Sequence, residues 1–351
     1  MSELELATAE DCRLLYELMA RVKALAPWEF LDEDDLFGVI DPDTGEPNFV
    51  SVMGAAGEHY AIALYRGVSG LYSFLLLYEL GPNAAIENVL DMPHIQGSFE
   101  DRELVEKRDR DQMKELGLKF RGRAAWPIFR SHRPNYLPWF IDKAEARLLA
   151  HALEQLLELA PRLREATEDL LMSGGDQDFL VRVADHAADG LVWRDETMTF
   201  KPPQPQPMKI RIDADALQRV AELPIRSGAV EVDCFRTFSV VAPPGERPFL
   251  PYTLLMVDAK LGLPLNIDLI TPDPVLEVLW NKVAASMLRM LRSGGYRPRE
   301  FRVRDDLLFG VLSMIGEKTG IKIKRVSSLH KLDAVAAGLV EFLSQEGLSI
   351  H

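Results

Sequence analysis

Four of the seven residues from Lys201 to Pro207 are proline. Proline fixes its own φ, restrains the residue before it and removes a backbone donor. The segment Lys201-Pro-Pro-Gln-Pro-Gln-Pro207 therefore excludes helix and inner strand and favours an extended polyproline form. A packed core does not run through such a stretch, and 351 residues suffice for one core on each side of it. The sequence predicts a mixed α/β protein of two domains: an N-terminal α+β domain over 1–200, a proline-rich linker over 201–208, and a C-terminal α/β domain over 209–351.

Beyond the linker, Asp213 to Leu223 has helical periodicity. Three strands follow, at Ala229–Val241, Tyr252–Val257 and Leu265–Ile270. The remainder reads as helix (Pro274–Leu291), strand (Glu300–Val303), helix (Asp306–Thr319), strand (Ile321–Val326) and helix (Leu332–Ser344). Strand, strand, strand, helix, strand, helix, strand, helix is a ribonuclease-H-like order, a mixed sheet flanked by helices. Enzymes of that fold carry acidic metal ligands in the first strand and just after the fourth. Here Asp233 and the pair Asp305-Asp306 stand at those places.

In the N-terminal part, Thr8 precedes an apolar-periodic run to Leu25 and fits an N-cap, with Glu10 and Asp11 in the first turn. Strands are expected at Phe37–Asp41, Asn48–Met53, His59–Tyr65, Ile95–Phe99 and Ala125–Ser131, and helices at Ser69–Leu80 and Asp101–Leu116. The run from Asp142 to about Met172 reads as one helix, or as two broken near Pro161, with Gly174-Gly175 as its stop. A hairpin, Phe179–Ala184 with Gly190–Phe200, closes the domain. Both halves thus read as strands followed by alternating helices and strands, which leaves an ancient duplication open.

A formal net charge of -14 keeps such a chain soluble and opposes general attraction to nucleic acid or anionic membrane. No window approaches the roughly 18 apolar residues of a membrane span. Met1 to Glu10 lacks the apolar run of a signal peptide. A cytoplasmic location is the expectation, and the two cysteines, Cys12 and Cys234, are expected to be reduced packing residues. The phosphate-loop, dinucleotide, nucleophile-elbow and zinc-protease motifs are all absent, so no cofactor is identified.

Two-metal phosphoryl transfer needs converging carboxylate oxygens, and Asp233, Asp305 and Asp306 are the candidates from an acidic set that also holds Asp258 and Asp268; a clear final acid is missing, since Asp333 and Glu341 lie on a helix whose orientation the sequence leaves open. Each candidate also has a structural explanation: Asp305 as a helix N-cap, Asp306 as a first-turn acid, and Asp233 as a strand residue facing away from Val230, Val232 and Cys234. A basic patch centred on Arg302 and Arg304, with Lys322 to Arg325 beyond, could bind phosphate or could guard an exposed strand edge.

The densest chemistry of the first half is Trp126-Pro-Ile-Phe-Arg-Ser-His-Arg-Pro-Asn-Tyr-Leu-Pro-Trp-Phe140. Its prolines make it stiff, and Arg130, His132, Arg133 and Tyr136 form a candidate anion or partner site. The competing reading is a structural plug, its arginines paired to acids. Either way Trp126 and Trp139 are expected to be mostly buried. The motif Phe129-Arg-Ser-His-Arg-Pro-Asn-Tyr-Leu-Pro-Trp-Phe140, with Ala144-Glu-Ala-Arg-Leu-Leu after it and the strand Arg299-Glu-Phe-Arg-Val-Arg304 in the second half, resembles a family of uncharacterised bacterial two-domain proteins. The resemblance implies a bacterial cytoplasmic origin and transfers no catalytic residue.

Three functions remain in view. The leading one is a non-catalytic binding or interaction protein whose partner is a protein or a small anionic ligand, with no tight binding to duplex DNA. The second is a nuclease or phosphoryl-transfer enzyme using a divalent metal. The third is a structural or oligomerising module.

Overall fold

The computed structural model describes residues 5–171, 178–188, 190–204, 207–237, 239–273 and 275–345. The expected helix stop at Gly174-Gly175 and the linker residues Pro205 and Gln206 lie outside them. The protein is mixed α/β and divides into two units. One comprises Met1–Pro134 with Pro138–Pro205, and the other Gln206–His351 with the short segment Asn135–Leu137.

The first unit runs α1 (Ala9–Leu25), β1 (Phe37–Ile40), β2 (Pro47–Met53), β3 (Tyr60–Arg66), α2 (Gly67–Leu80), α3 (Ile86–Leu90), β4 (His94–Glu100), α4 (Lys107–Glu115), β5 (Trp126–His132), α5 (Lys143–Leu171), β6 (Asp178–Ala187) and β7 (Gly190–Thr199). Thr8 and Asp11 cap α1 reciprocally: the Asp11 N–H donates to Thr8 Oγ1, and the Thr8 N–H to Asp11 Oδ2. The seven strands are ordered β5-β4-β3-β2-β1-β6-β7. The first five form an antiparallel meander, while β6 joins β1 in parallel. Alternation along the strands sends Val50, Val52, Ile62 and Leu64 to the α1 and α5 side, and Phe49, Ala63 and Tyr65 to the α2 side.

Pro161 does not break α5, which is continuous from Lys143 to Leu171. An interior proline costs about 3 kcal/mol. Leu149, Leu153, Leu156, Leu159, Ala160 and Leu163 are fully buried on both sides of it, and their burial outweighs that cost.

The second unit runs α6 (Ala214–Ala221), β8 (Ile225–Arg236), β9 (Tyr252–Asp258), β10 (Pro264–Ile270), α7 (Leu276–Gly294), β11 (Arg297–Val303), α8 (Asp306–Thr319), β12 (Lys322–Arg325) and α9 (His330–Gln345). Its sheet order is β10-β9-β8-β11-β12. β8, β9 and β10 are antiparallel, whereas β11 is parallel to β8 and β12 to β11. One sheet face, with Val230, Val232, Leu254 and Phe301, packs under α6, α7 and α8. The other, with Leu255 and Val257, packs under Leu329 and Leu332 at the start of α9. β8 ends at Arg236, short of the expected Val241, which instead bridges Phe249. Among the described residues no helix is long and apolar enough to cross a membrane.

Candidate functional site

The carboxylate side of β8 sets the centre of the second unit. Val230 and Val232 point into the core beneath α7 and α8, so the alternate residues Glu231 and Asp233 point to the α9 side, and both are buried. Glu231 Oε2 accepts the Leu332 backbone N–H at 2.7 Å, satisfying one of the free donors that open α9. Asp233 Oδ1 accepts the Cys234 N–H, and its Oδ2 accepts Arg304 Nε at 2.9 Å and Nη2 at 2.6 Å. The same guanidinium reaches Asp333 Oδ1 at 2.8 Å through Nη1. Arg304 thus stands between a strand acid and a helix acid. Burial pushes the Asp233 carboxyl above its ordinary range, against the pull of Arg304 and the Cys234 amide, and Asp305 adds repulsion.

Of the other expected acids, Asp258 holds its turn and Asp268 pairs with Arg289, while the side chain of Glu341 lies outside the described residues. Asp305 caps α8, its Oδ1 accepting the Leu308 N–H at 2.7 Å. Asp306 pairs with Arg325. In the basic patch, Arg302 Nε donates to Glu300 at 2.9 Å, while Lys322 and Lys324 are exposed on β12. Sequence reasoning anticipated Asp233 and the cap at Asp305 and left the orientation of Asp333 open. It missed Glu231, whose only signal was its position two residues before Asp233 on the same strand face.

In the first unit, Arg130 on β5 grips Asp109 through both terminal nitrogens, at 2.9 and 2.7 Å, and reaches Glu106 at 3.1 Å. Its guanidinium also lies 4.7 Å from the Phe140 ring. Arg133 donates to Asp142 at 3.2 Å and to Glu145 at 3.0 Å. Glu145, fully buried, further accepts Ser131 Oγ at 2.8 Å, the Asp142 N–H at 3.0 Å and Arg66 at 3.2 Å. Burial raises the Glu145 carboxyl, but Arg133 and these donors outweigh it and hold it below its ordinary value. His132 stacks on His94 with centroids 3.8 Å apart. Tyr136 belongs with the second unit, where its hydroxyl donates to the Pro272 carbonyl.

As expected, Trp126 and Trp139 are mostly buried, each with part of its surface left open. Trp126 opens the edge strand and packs against the core beside Phe120, and Trp139 sits where the chain bridges back to Ser131. Both cysteines are free; Cys12 is buried and Cys234 half-buried, and burial pushes each thiol up to about 12.

A cleft of about 590 Å³ opens along α1 and α5. Leu14, Ala146 and Ala150 give it an apolar floor, and Lys143, Arg147 and His151 line it at successive helical turns. His151 Nδ1 is buried without a hydrogen bond, 3.6 Å from Glu154 Oε2.

Comparison with known families places both regions without assigning a role. Residues 13–182 match the family described as Domain of unknown function (DUF7309), and residues 216–340 match Domain of unknown function (DUF6930). The first match falls in the first unit apart from Asn135–Leu137, and the second in the second unit. No curated protein matches the chain.

Proposed function

We propose that this chain is a non-catalytic binding or interaction protein whose second unit keeps a ribonuclease-H-like strand order with its acidic centre closed by arginine. The order β10-β9-β8-β11-β12, with β11 and β12 parallel to β8, supports the comparison with that fold. The observation that carries the reading is Arg304. Metal-dependent phosphoryl transfer needs carboxylate oxygens open to hard cations. Here a guanidinium already bridges Asp233 and Asp333, and Asp305 and Asp306 serve a cap and an ion pair. Among the described residues, no three His, Cys, Asp or Glu side chains are grouped to hold a metal.

The binding half of the proposal rests on the α1 and α5 cleft. Its apolar floor and unsatisfied His151 nitrogen suit a small ligand with an apolar body and a hydrogen-bonding head, while Lys143 and Arg147 are paired with Asp11 and Asp43 and four carboxylates also line the cleft. The family resemblance supports a bacterial cytoplasmic setting for it.

Calorimetric titration with Mn²⁺, paired with a phosphodiesterase assay, tests the closed centre. No saturable binding and no turnover are expected. Saturable Mn²⁺ binding together with turnover, both abolished by Asp233→Asn, would instead establish the metal-dependent enzyme. For the cleft, a thermal-shift screen of small hydrogen-bonding compounds, carboxylates and phosphates among them, should return ligands whose effect is lost in His151→Ala. Ligands indifferent to that change would remove the cleft from the proposal.

A further inference from the structure

Between α4 and the start of β5 lies a pocket of about 390 Å³. Its cations are Arg102, Arg110, Lys114, Lys119 and Arg121, and no carboxylate lines it. Crowding like charges is unfavourable unless counter-charge is supplied, and nearby the chain supplies it. Lys107 is paired with Asp111, and Arg130 with Asp109 and Glu106. Among the described residues the pocket cations make no ion pair. Met113, Leu118, Phe120 and Trp126 give the pocket an apolar wall, the two rings half-buried with centroids 6.0 Å apart. The frame is anchored. The Gly117 and Leu118 N–H groups donate to the Lys114 and Met113 carbonyls at 3.0 and 2.9 Å, and the Arg110 guanidinium donates to the Val105 carbonyl. The Ala124 N–H donates to Asp101 Oδ1 at 2.6 Å, with Ala124 left-handed at φ 43°, a conformation alanine adopts only under constraint.

Arg102, Phe120, Arg121 and Trp126 also line an adjoining recess of about 670 Å³, which adds Arg123 but also Asp101 and Glu103. Charge therefore changes along the groove, from cations without acids in the pocket to a mixture in the recess, with Trp126 common to both. A uniformly anionic chain, whether acidic peptide or nucleic-acid strand, would lay charge against Glu103. A ligand with its charge at one end does not. We propose that this groove binds a nucleoside phosphate, its phosphates among Arg102, Arg110, Lys114, Lys119 and Arg121 and its base against Trp126. Guanidinium forks match phosphate oxygens, and an aromatic side chain supports a stacked base. The recess, where carboxylate and guanidinium stand together, suits the mixed donors and acceptors of a base edge. Both volumes fall in the range of small-molecule sites. The site is independent of the α1 and α5 cleft.

Calorimetric titration of the full chain with ADP, GDP, CDP and UDP, without divalent metal, tests it. At least one should bind saturably in the micromolar range at low salt, and more weakly as salt rises. Pyrophosphate and the matching nucleoside, each only part of the ligand, should bind at least about tenfold less tightly. Lys119→Glu and Arg121→Glu, both at exposed positions, should each raise the nucleotide Kd at least about tenfold while leaving thermal unfolding of the unliganded chain unchanged. His151→Ala in the α1 and α5 cleft should leave that Kd unchanged; a loss there would move the nucleotide to the cleft and overturn the inference. Absence of saturable binding by all four nucleotides, or binding indifferent to both glutamate substitutions, also overturns it. Pyrophosphate that binds as tightly as the nucleotide overturns the role of the base. A short oligothymidylate strand that binds more tightly than any of the four overturns the choice of a small ligand.

Discussion

A buried carboxylate is tolerated only while its partners are in place, and two such residues bear most of the electrostatic weight here. Arg304→Met strands Asp233, which is 4% exposed, without its cation. We expect a loss of about 2 kcal/mol in denaturant unfolding, under the usual figure for a broken buried pair because Arg304 itself is partly solvated. Adding Asp233→Asn should recover part of it, and failure to do so would show that Arg304 stabilises by other contacts. Glu145 gives the pH dependence. Its folded carboxyl lies below the ordinary 4.5, so its stabilisation is fully present above that value and is lost as pH falls through the lower folded value. Unfolding free energy should therefore drop on acidification below about pH 4.5. Glu145→Gln should flatten that slope and cost about 3 kcal/mol at neutral pH. Asp233 was legible in the sequence because strand alternation assigns faces. The partnership with Arg304 was not, because the side chain comes from a loop 71 residues away and only the fold brings it close.

Among elements, α8 offers a matched pair of glycines. A methyl at Gly316 would meet the Ile321 carbonyl oxygen at 2.6 Å and the Ile323 side chain at 2.9 Å, whereas one at Gly310 meets nothing within 4 Å. The same substitution should thus have opposite signs in one helix. Gly310→Ala should stabilise by about 0.5–1 kcal/mol through helix propensity, and Gly316→Ala should destabilise by about 1–3 kcal/mol through overpacking against β12. Chemical denaturation of the two variants decides it. Element types were largely readable because apolar periodicity is strong in α1, α7 and the β8 to β10 meander. What periodicity could not supply was the fate of Pro161, which depends on how much core α5 buries, or the end of β8 at Arg236, which depends on where its partner β9 begins.

Across the whole molecule, charge argues against nucleic acid despite the strand order of the second unit. Acids outnumber bases by 54 to 40, and Arg302, Arg304 and Arg325 are each paired with a carboxylate. Useful duplex affinity requires several phosphates to be neutralised by free cations. An anisotropy titration at physiological salt should show no submicromolar binding; steeply salt-dependent binding lost on Arg302→Glu and Arg304→Glu would reverse this. The suspected duplication is only partly reflected in topology. Both units begin with an antiparallel meander whose first strand is joined in parallel on its other edge, but the first then closes with an antiparallel hairpin and the second with another parallel strand. One contact in the second unit also bears on how the chain is made. Glu231, near the start of the sheet, finds its donor in Leu332, 101 residues later, and Arg304 reaches forward to Asp333. While the chain is being synthesised, the strand that founds the sheet therefore holds a carboxylate with no helix to cap. Closure of this half waits for α9, whose Leu332 lies 101 residues beyond Glu231 in the first strand, so the unit completes late relative to its own founding strand.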